Sequence, residues 1–213
     1  MKNNINKVIS FLKQTGKLRT TYRYGSFDLM NSESVADHSW RLALMVLMIT
    51  KELNIKIDIE KAINLALIHD IAESITGDIP APDVANGKVS REEKERAETK
   101  AINEIKKLLP AQQGEEIYLI WDDYTYAKSK EAKFVRAMDK LEALLNVIET
   151  GEKKGAKTYN YLDFIATFAD GHVKDFPALI PLLANLKDKL KHEYLKAGIE
   201  WKQEYDNYLK QAK

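Results

Sequence analysis

Three observations predict an all-α fold. Apolar residues recur at three- and four-residue spacing through the longer segments, helix-starting and helix-stopping residues bracket those segments, and no segment sustains the period-two alternation of a half-buried strand. From Val35 to Leu53, Val35, Leu42, Met45, Val46 and Ile49 suit a largely buried helix, which Ser34 with Asp37 can start. A second helix is predicted from Asp58, an N-cap residue, through Ile63, Leu67, Ile68 and Ile71 to near Gly77, with Pro80 and Pro82 preventing its resumption. Ser90-Arg91-Glu92-Glu93 has the form of a capping box that opens a charged helix to Leu109, with Pro110 marking its end. Another helical stretch surrounds Ile117 to Tyr126. The next runs from about Lys130 to Glu149, with Phe134, Val135, Met138, Leu141, Leu144 and Leu145 as its core stripe, and is expected to break at Gly151 and Gly155. From Tyr159 onward, Phe164, Ile165, Phe168, Ile180, Leu183 and Leu186, then Trp201 and Tyr205, read as helices closing the core.

With 213 residues and 45% hydrophobic content, the chain is long enough for one sizeable core, and residues 1–213 are expected to form one domain. Thirty-three basic against 32 acidic residues leave a net charge of +1, which provides no electrostatic footprint for a nucleic acid polymer. The absence of cysteine excludes disulfides, thiolate metal ligands and cysteine nucleophiles, so any metal must be held by nitrogen and oxygen. The start of the chain lacks the apolar run of a secretory signal. No stretch approaches the roughly 18 uncharged apolar residues of a membrane helix, so a cytoplasmic setting without a membrane partner is expected.

Within Leu65-Ala66-Leu67-Ile68-His69-Asp70-Ile71-Ala72-Glu73, an adjacent His-Asp pair interrupts an apolar helical pattern. Burying such a pair is costly without a partner, and a metal ion offsets the carboxylate's desolvation. Only His38, His69, His172 and His192 can add imidazole ligands. His38 lies in the first turn of the Val35 helix, where a capping or surface role is the plain alternative. Asp139 is flanked by core residues on both sides, and its alternative is a salt bridge to Arg136 or Lys140. His172 and His192 stand in the last quarter, His192 beside the lysine-rich run Lys187 to Lys191, which reads as a solvated face.

His38, His69-Asp70 and Asp139 resemble the H…HD…D pattern of the HD-domain metal-dependent phosphohydrolases. More closely, Glu33-Ser34-Val35-Ala36-Asp37-His38-Ser39 and His69-Asp70-Ile71-Ala72-Glu73-Ser74-Ile75-Thr76-Gly77-Asp78-Ile79-Pro80 are similar to the 5′-deoxynucleotidase branch, with its YfbR-like and HD-domain-containing protein 2-like members. The similarity spans about residues 8–150, the motif-bearing core, and leaves 151–213 as C-terminal helices completing the bundle. The resemblance implies an HD-domain helical bundle with a metal site in its core, formed by His38, His69, Asp70 and Asp139.

Two imidazoles and two carboxylates suit one divalent transition metal ion, Mn, Co, Fe, Zn or Ni, and leave positions for water and a substrate oxygen. Two-metal relatives carry additional histidines near the pair, and the low histidine count here favours a single ion and a phosphomonoester substrate. Glu73, four residues after His69, would face the ligands if both lie on one helix, and the resemblance gives it the role of handling the attacking water. A second carboxylate, Asp78, is placed by the resemblance near the sugar or the leaving oxygen, although Gly77-Asp78 also fits simple turn chemistry. A phosphate dianion calls for a guanidinium, and the segment Lys17 to Tyr24 offers two. Counting back from His38 without gaps selects Arg23, whereas an Arg-Thr-x-aromatic pattern selects Arg19 with Tyr22. The branch's tryptophan, associated with preferring deoxyribose, is replaced here by tyrosines.

The expected activity is hydrolysis of nucleoside 5′-monophosphates, foremost 2′-deoxyribonucleotides, to nucleoside and phosphate. The alternatives are an HD hydrolase acting on another phosphate ester or a nucleotide polyphosphate, and a non-catalytic nucleotide-binding sensor. The resemblance also implies a homodimer. Trp201, Tyr205 and Tyr208 are candidates to cover its surface, or equally to pack within the chain.

Overall fold

The computed structural model describes residues 2–24, 33–159 and 161–211. Their regular elements are helices, with one isolated antiparallel bridge between Tyr22 and Ser34. The helices are α1 Lys2–Thr15, α2 Val35–Glu52, α3 Ile59–Ile68, α4 Glu73–Thr76, α5 Ala81–Ala85, α6 Arg91–Lys106, α7 Ala111–Tyr126, α8 Lys130–Lys154, α9 Leu162–Thr167, α10 Asp170–Lys174 and α11 Ile180–Lys196. Short 3-10 turns cover Gly16–Thr20, Ala156–Thr158, Pro177–Leu179 and Gln203–Gln211. Among the described residues no helix is long and apolar enough to cross a membrane.

The caps form as local chemistry dictates. Ser34 and Ser90 each open a capping box, with Asp37 and Glu93 returning the bond, and Asp58 accepts from the Lys61 N–H. α8 lies at the centre, against α2, α3, α7, α10 and α11. Its stripe meets Leu42 and Val46 of α2, Leu65 of α3, and Leu183 and Leu190 of α11 in one continuous core. A smaller cluster of Leu18, Val35, Ile71, Ile102, Ile105 and Trp121 seals the other side of α2 and α3.

Several boundaries differ from expectation, α6 among them, which ends at Lys106 rather than Leu109. The helix opened by Asp58 ends at Ile68 rather than near Gly77. The Ile71 N–H then reaches back three residues to Ile68, and the Glu73 N–H to Asp70, before α4 begins. Neighbours on an α-helix point about 100° apart, so this tightening lets His69 and Asp70 converge, while Ile71 keeps the apolar rhythm that concealed the break. Pro80 and Pro82 do not prevent a helix here: they start α5, where a first-turn position needs no N–H. Pro110 caps α7, which begins at Ala111 and encloses the expected stretch from Ile117 to Tyr126.

α8 continues through Gly151 and stops only at Gly155, whose φ is 84°. Gly151 is buried because Tyr159 lies across it: a β-carbon there would meet the Tyr159 hydroxyl and approach Cζ within 2.9 Å. Gly151→Ala is accordingly expected to destabilise the fold by about 1–3 kcal/mol, the usual cost of overpacking, as a lower midpoint in urea with unchanged slope.

The Lys187 to Lys191 run is not wholly solvated. Lys187 is 1% exposed, and its ammonium donates to Asp170 at 2.7 Å and to the Tyr205 carbonyl at 2.6 Å, tying the chain's end to α10 and α11. Tyr205 and Tyr208 are buried within the chain, which decides between the two roles considered for them, and His192 is exposed as expected.

Candidate metal centre

His38 stands one turn into α2 and is fully buried. Its Nδ1 faces the Glu142 carboxylate, and the His69 Nδ1 lies 2.9 Å from the Ala66 carbonyl. Both partners accept hydrogen bonds, so each neutral ring keeps its proton on Nδ1 and turns the Nε2 lone pair away from that partner. The two Nε2 atoms come within 3.3 Å of each other. His38 Nε2 is 3.3 Å from Asp139 Oδ1 and 3.9 Å from Asp70 Oδ2, and His69 Nε2 is 2.9 Å from that same Asp70 oxygen.

Two lone pairs and two carboxylates in so small a space repel unless a cation lies among them. Burial and the Arg23 charge press the His38 pKa down, but Glu142 and Asp139 outweigh them and raise it to about 9. Burial alone would raise Asp139 and Asp70; Lys140 and His38 hold Asp139 well below the usual carboxylate range, and His69 and His38 do so for Asp70. The donors fit an N/O-ligated divalent ion, and one atom each from His38, His69 and Asp139 lie mutually within 4.8 Å.

Glu33, His38 and Glu142 also approach one another closely. Two guanidinium groups already neutralise these carboxylates. Arg23 Nη1 donates to Glu33 at 3.0 Å and Glu142 at 3.2 Å, while Arg41 donates to Glu142 at 2.6 Å, Glu33 at 3.0 Å and Glu149 at 2.7 Å. This trio is the support behind the His38 ring. On the far side, Tyr124 donates to Asp139 Oδ2 at 2.8 Å and Lys140 donates to the same oxygen at 2.7 Å, leaving Oδ1 turned toward His38. The Asp139–Lys140 ion pair considered as an alternative therefore coexists with the centre.

Glu73 lies on α4, not on the helix of His69, yet still reaches the site. Its Oε2 is buried without a hydrogen-bond partner among the described residues. Burial, then Asp70 and Asp78, raise its pKa well above the ordinary carboxyl value. Asp78 is likewise raised by burial, and its Oδ2 accepts the Tyr24 N–H at 2.7 Å, a contact across 54 positions that ties the Arg23–Tyr24 segment to the site.

A cavity of about 920 Å³ opens over this cluster, with His69, Asp70, Glu73, Asp78 and Asp139 on its wall. Arg23 lines it. Arg19 is exposed and donates to the Gly16 carbonyl at 3.1 Å, and Tyr22 is 50% exposed; among the described residues neither borders the cavity. Lys94, Arg136, Lys140 and, from α10, His172 also line it. Glu142, Arg41, Tyr124 and Lys140 were not singled out from the sequence as site residues. A signal for two of them was present: Arg41 follows His38 by three positions and Glu142 follows Asp139 by three, the spacing that keeps side chains on one helix face.

Residues 15–180 match the family model described as HD domain. Over 163 residues the chain is 36% identical to 5′-deoxynucleotidase HDDC2 of Bos taurus, spanning 75% of this chain and 76% of that protein. Over 198 residues it is 33% identical to the Danio rerio protein of the same name, spanning 92% and 94%. A crystal structure of a predicted metal-dependent phosphohydrolase from Magnetospirillum magnetotacticum superposes with a TM-score of 0.72 at 24% identity, covering 93% of this chain and 96% of that one, a likeness of fold.

Proposed function

The chain belongs to the HD-domain family, and from that premise we propose that it is a metal-dependent phosphomonoesterase hydrolysing nucleoside 5′-monophosphates, foremost 2′-deoxyribonucleotides, to nucleoside and phosphate. The observation that carries this reading is the convergence of four donor groups beneath a 920 Å³ cavity whose wall also holds an unpartnered carboxyl oxygen. The relatives named 5′-deoxynucleotidase support the substrate class.

In this proposal His38, His69, Asp70 and Asp139 hold one divalent ion, Mn, Co, Fe, Zn or Ni. Such an ion supplies Lewis acidity toward a phosphoryl oxygen and lowers the pKa of a nearby water. Glu73 accepts the proton of the water that attacks phosphorus, and Asp78 stands on the side of the sugar and the departing 5′ oxygen. Arg23, whose Nη1 is committed to Glu33 and Glu142, offers its remaining N–H groups to the phosphate. Residues 1–213 act as one domain, with α11 completing the core around α8.

Phosphate release from dAMP or dTMP with Mn or Co tests the reading. Turnover of polyphosphates alone overturns it, and nucleotide binding without release at any metal loading makes the protein a sensor. Glu73→Gln is expected to keep its metal content while losing about 10²- to 10⁴-fold in turnover, the usual worth of a general base. Metal analysis beside a phosphate assay reads both, and an unaltered rate removes Glu73 from the mechanism. A homodimer is part of the proposal: Trp40, Leu44 and Met48, one face of α2 at four-residue spacing, are 65%, 45% and 56% exposed. Sedimentation velocity checks that assembly.

A further inference from the structure

Beyond the last candidate metal ligand, α9 and α10 build one wall of the cavity. From α9 into α10, Ala166, Ala169 and Val173 turn into the core, whereas Phe164, Phe168 and His172, spaced four residues apart, stay only half-buried and line the cavity. On a helical path each step of four advances about 6 Å, so the three form a row. Its polar end is His172, which lines the cavity together with Asp139, Arg136 and Lys140; burial and those two cations lower the His172 pKa.

The other end of the row is apolar, and its two rings stack on one another. The Phe164 and Phe168 rings lie 5.4 Å apart and within 13° of parallel. Val147 and Ile165 flank them on the cavity wall, and the nearby Tyr159 hydroxyl is already used on the Val147 carbonyl. Phe168 packs with its inner side against the main core, while both rings stay partly open on the cavity wall. They present a surface for a planar ligand group.

We propose that Phe164 and Phe168 form the subsite on which the nucleobase stacks, with the phosphate at the His38–His69–Asp139 end. This rests on the nucleotide reading above. It makes the two phenylalanines specificity-determining residues that prefer a nucleotide over a bare sugar phosphate.

The test compares dAMP with 2-deoxyribose 5-phosphate, which lacks the base, on the metal-loaded enzyme. Phe164→Leu and Phe168→Leu keep apolar volume and lose the ring plane; each is expected to raise the KM for dAMP about 5- to 150-fold, the range of base–aromatic stacking, and to leave kcat/KM for 2-deoxyribose 5-phosphate unchanged. Phe164→Tyr, which retains the ring, is expected to behave as wild type. An unchanged KM for dAMP in both leucine variants overturns the proposal, as does an equal loss for the two substrates. If the wild type releases phosphate from neither compound, the hydrolase reading fails, and calorimetric binding of the same two compounds decides the subsite: it stands if the leucine variants weaken dAMP binding selectively and falls if they do not or if dAMP does not bind.

Discussion

Asp139→Asn is expected to strip the protein of its divalent ion and abolish phosphate release. The substitution preserves shape but removes one of the two carboxylates that gather the histidine Nε2 atoms, at a position 4% exposed where no solvent replaces the lost charge. Partners one shell removed from a metal typically change affinity 10- to 100-fold, so a direct ligand should exceed about 100-fold. Competition with a fluorescent chelator measures the dissociation constant, and circular dichroism checks that the helices persist. Tyr124 and Lys140 hold the other carboxylate oxygen, so the variant also separates ligation from packing. Metal retention equal to wild type would remove Asp139 from the ligand set; His69→Ala supplies the parallel case from the other side of the centre.

Glu142→Gln is expected to weaken both the fold and the metal site. Burial opposes charge on Glu142, yet His38, Arg23 and Arg41 hold its pKa at about 2. A neutral amide leaves two guanidinium groups with only Glu33 and the more exposed Glu149 as anionic partners. Breaking a buried ion pair costs about 3–5 kcal/mol, and the partial exposure of Arg41, 21% of its side chain, argues for the lower end. For a chain of this length that is a fall in Tm of about 6–12 °C. The His38 Nδ1–H also exchanges a charged carboxylate acceptor for a weaker, neutral amide oxygen, so metal affinity should drop about 10- to 100-fold. Melting curves with chelator and with Mn separate the two effects: the chelated protein reports the ion-pair loss, and the smaller gain on adding Mn reports the ligand effect. A Tm and a metal affinity both equal to wild type would refute the supporting role.

Much of this architecture was legible because its signals are local. The boxes at Ser34 and Ser90 and the cap at Asp58 act over three residues, and the α8 stripe repeats within single turns. Where non-local demands prevailed, local signals misled. Ile71 continued an apolar rhythm across a real break because it packs into the smaller core cluster. Gly151 resembled a stop, but its lack of a side chain serves the passage of Tyr159. Lys187 looked solvated, and its ammonium finds partners 17 residues before it and 18 after it.

The sequence by itself determined the helical class, the starts of α2, α3, α6 and α8 and the exceptional His69-Asp70 pair, since capping, periodicity and an apolar stretch interrupted by His-Asp are all properties of neighbouring residues; His38 and Asp139 joined that pair through the family resemblance. Only the tertiary structure decided that His69 and Asp70 leave the helix to converge, that Arg23 rather than Arg19 borders the cavity, that Glu142 steadies His38 from 104 positions away, and that an aromatic row from the C-terminal quarter faces the same space. The reason is electrostatic and steric. Each depends on a distance across the packed core, where a charge must find its partner and a ring its neighbour, and no spacing along the chain encodes that distance.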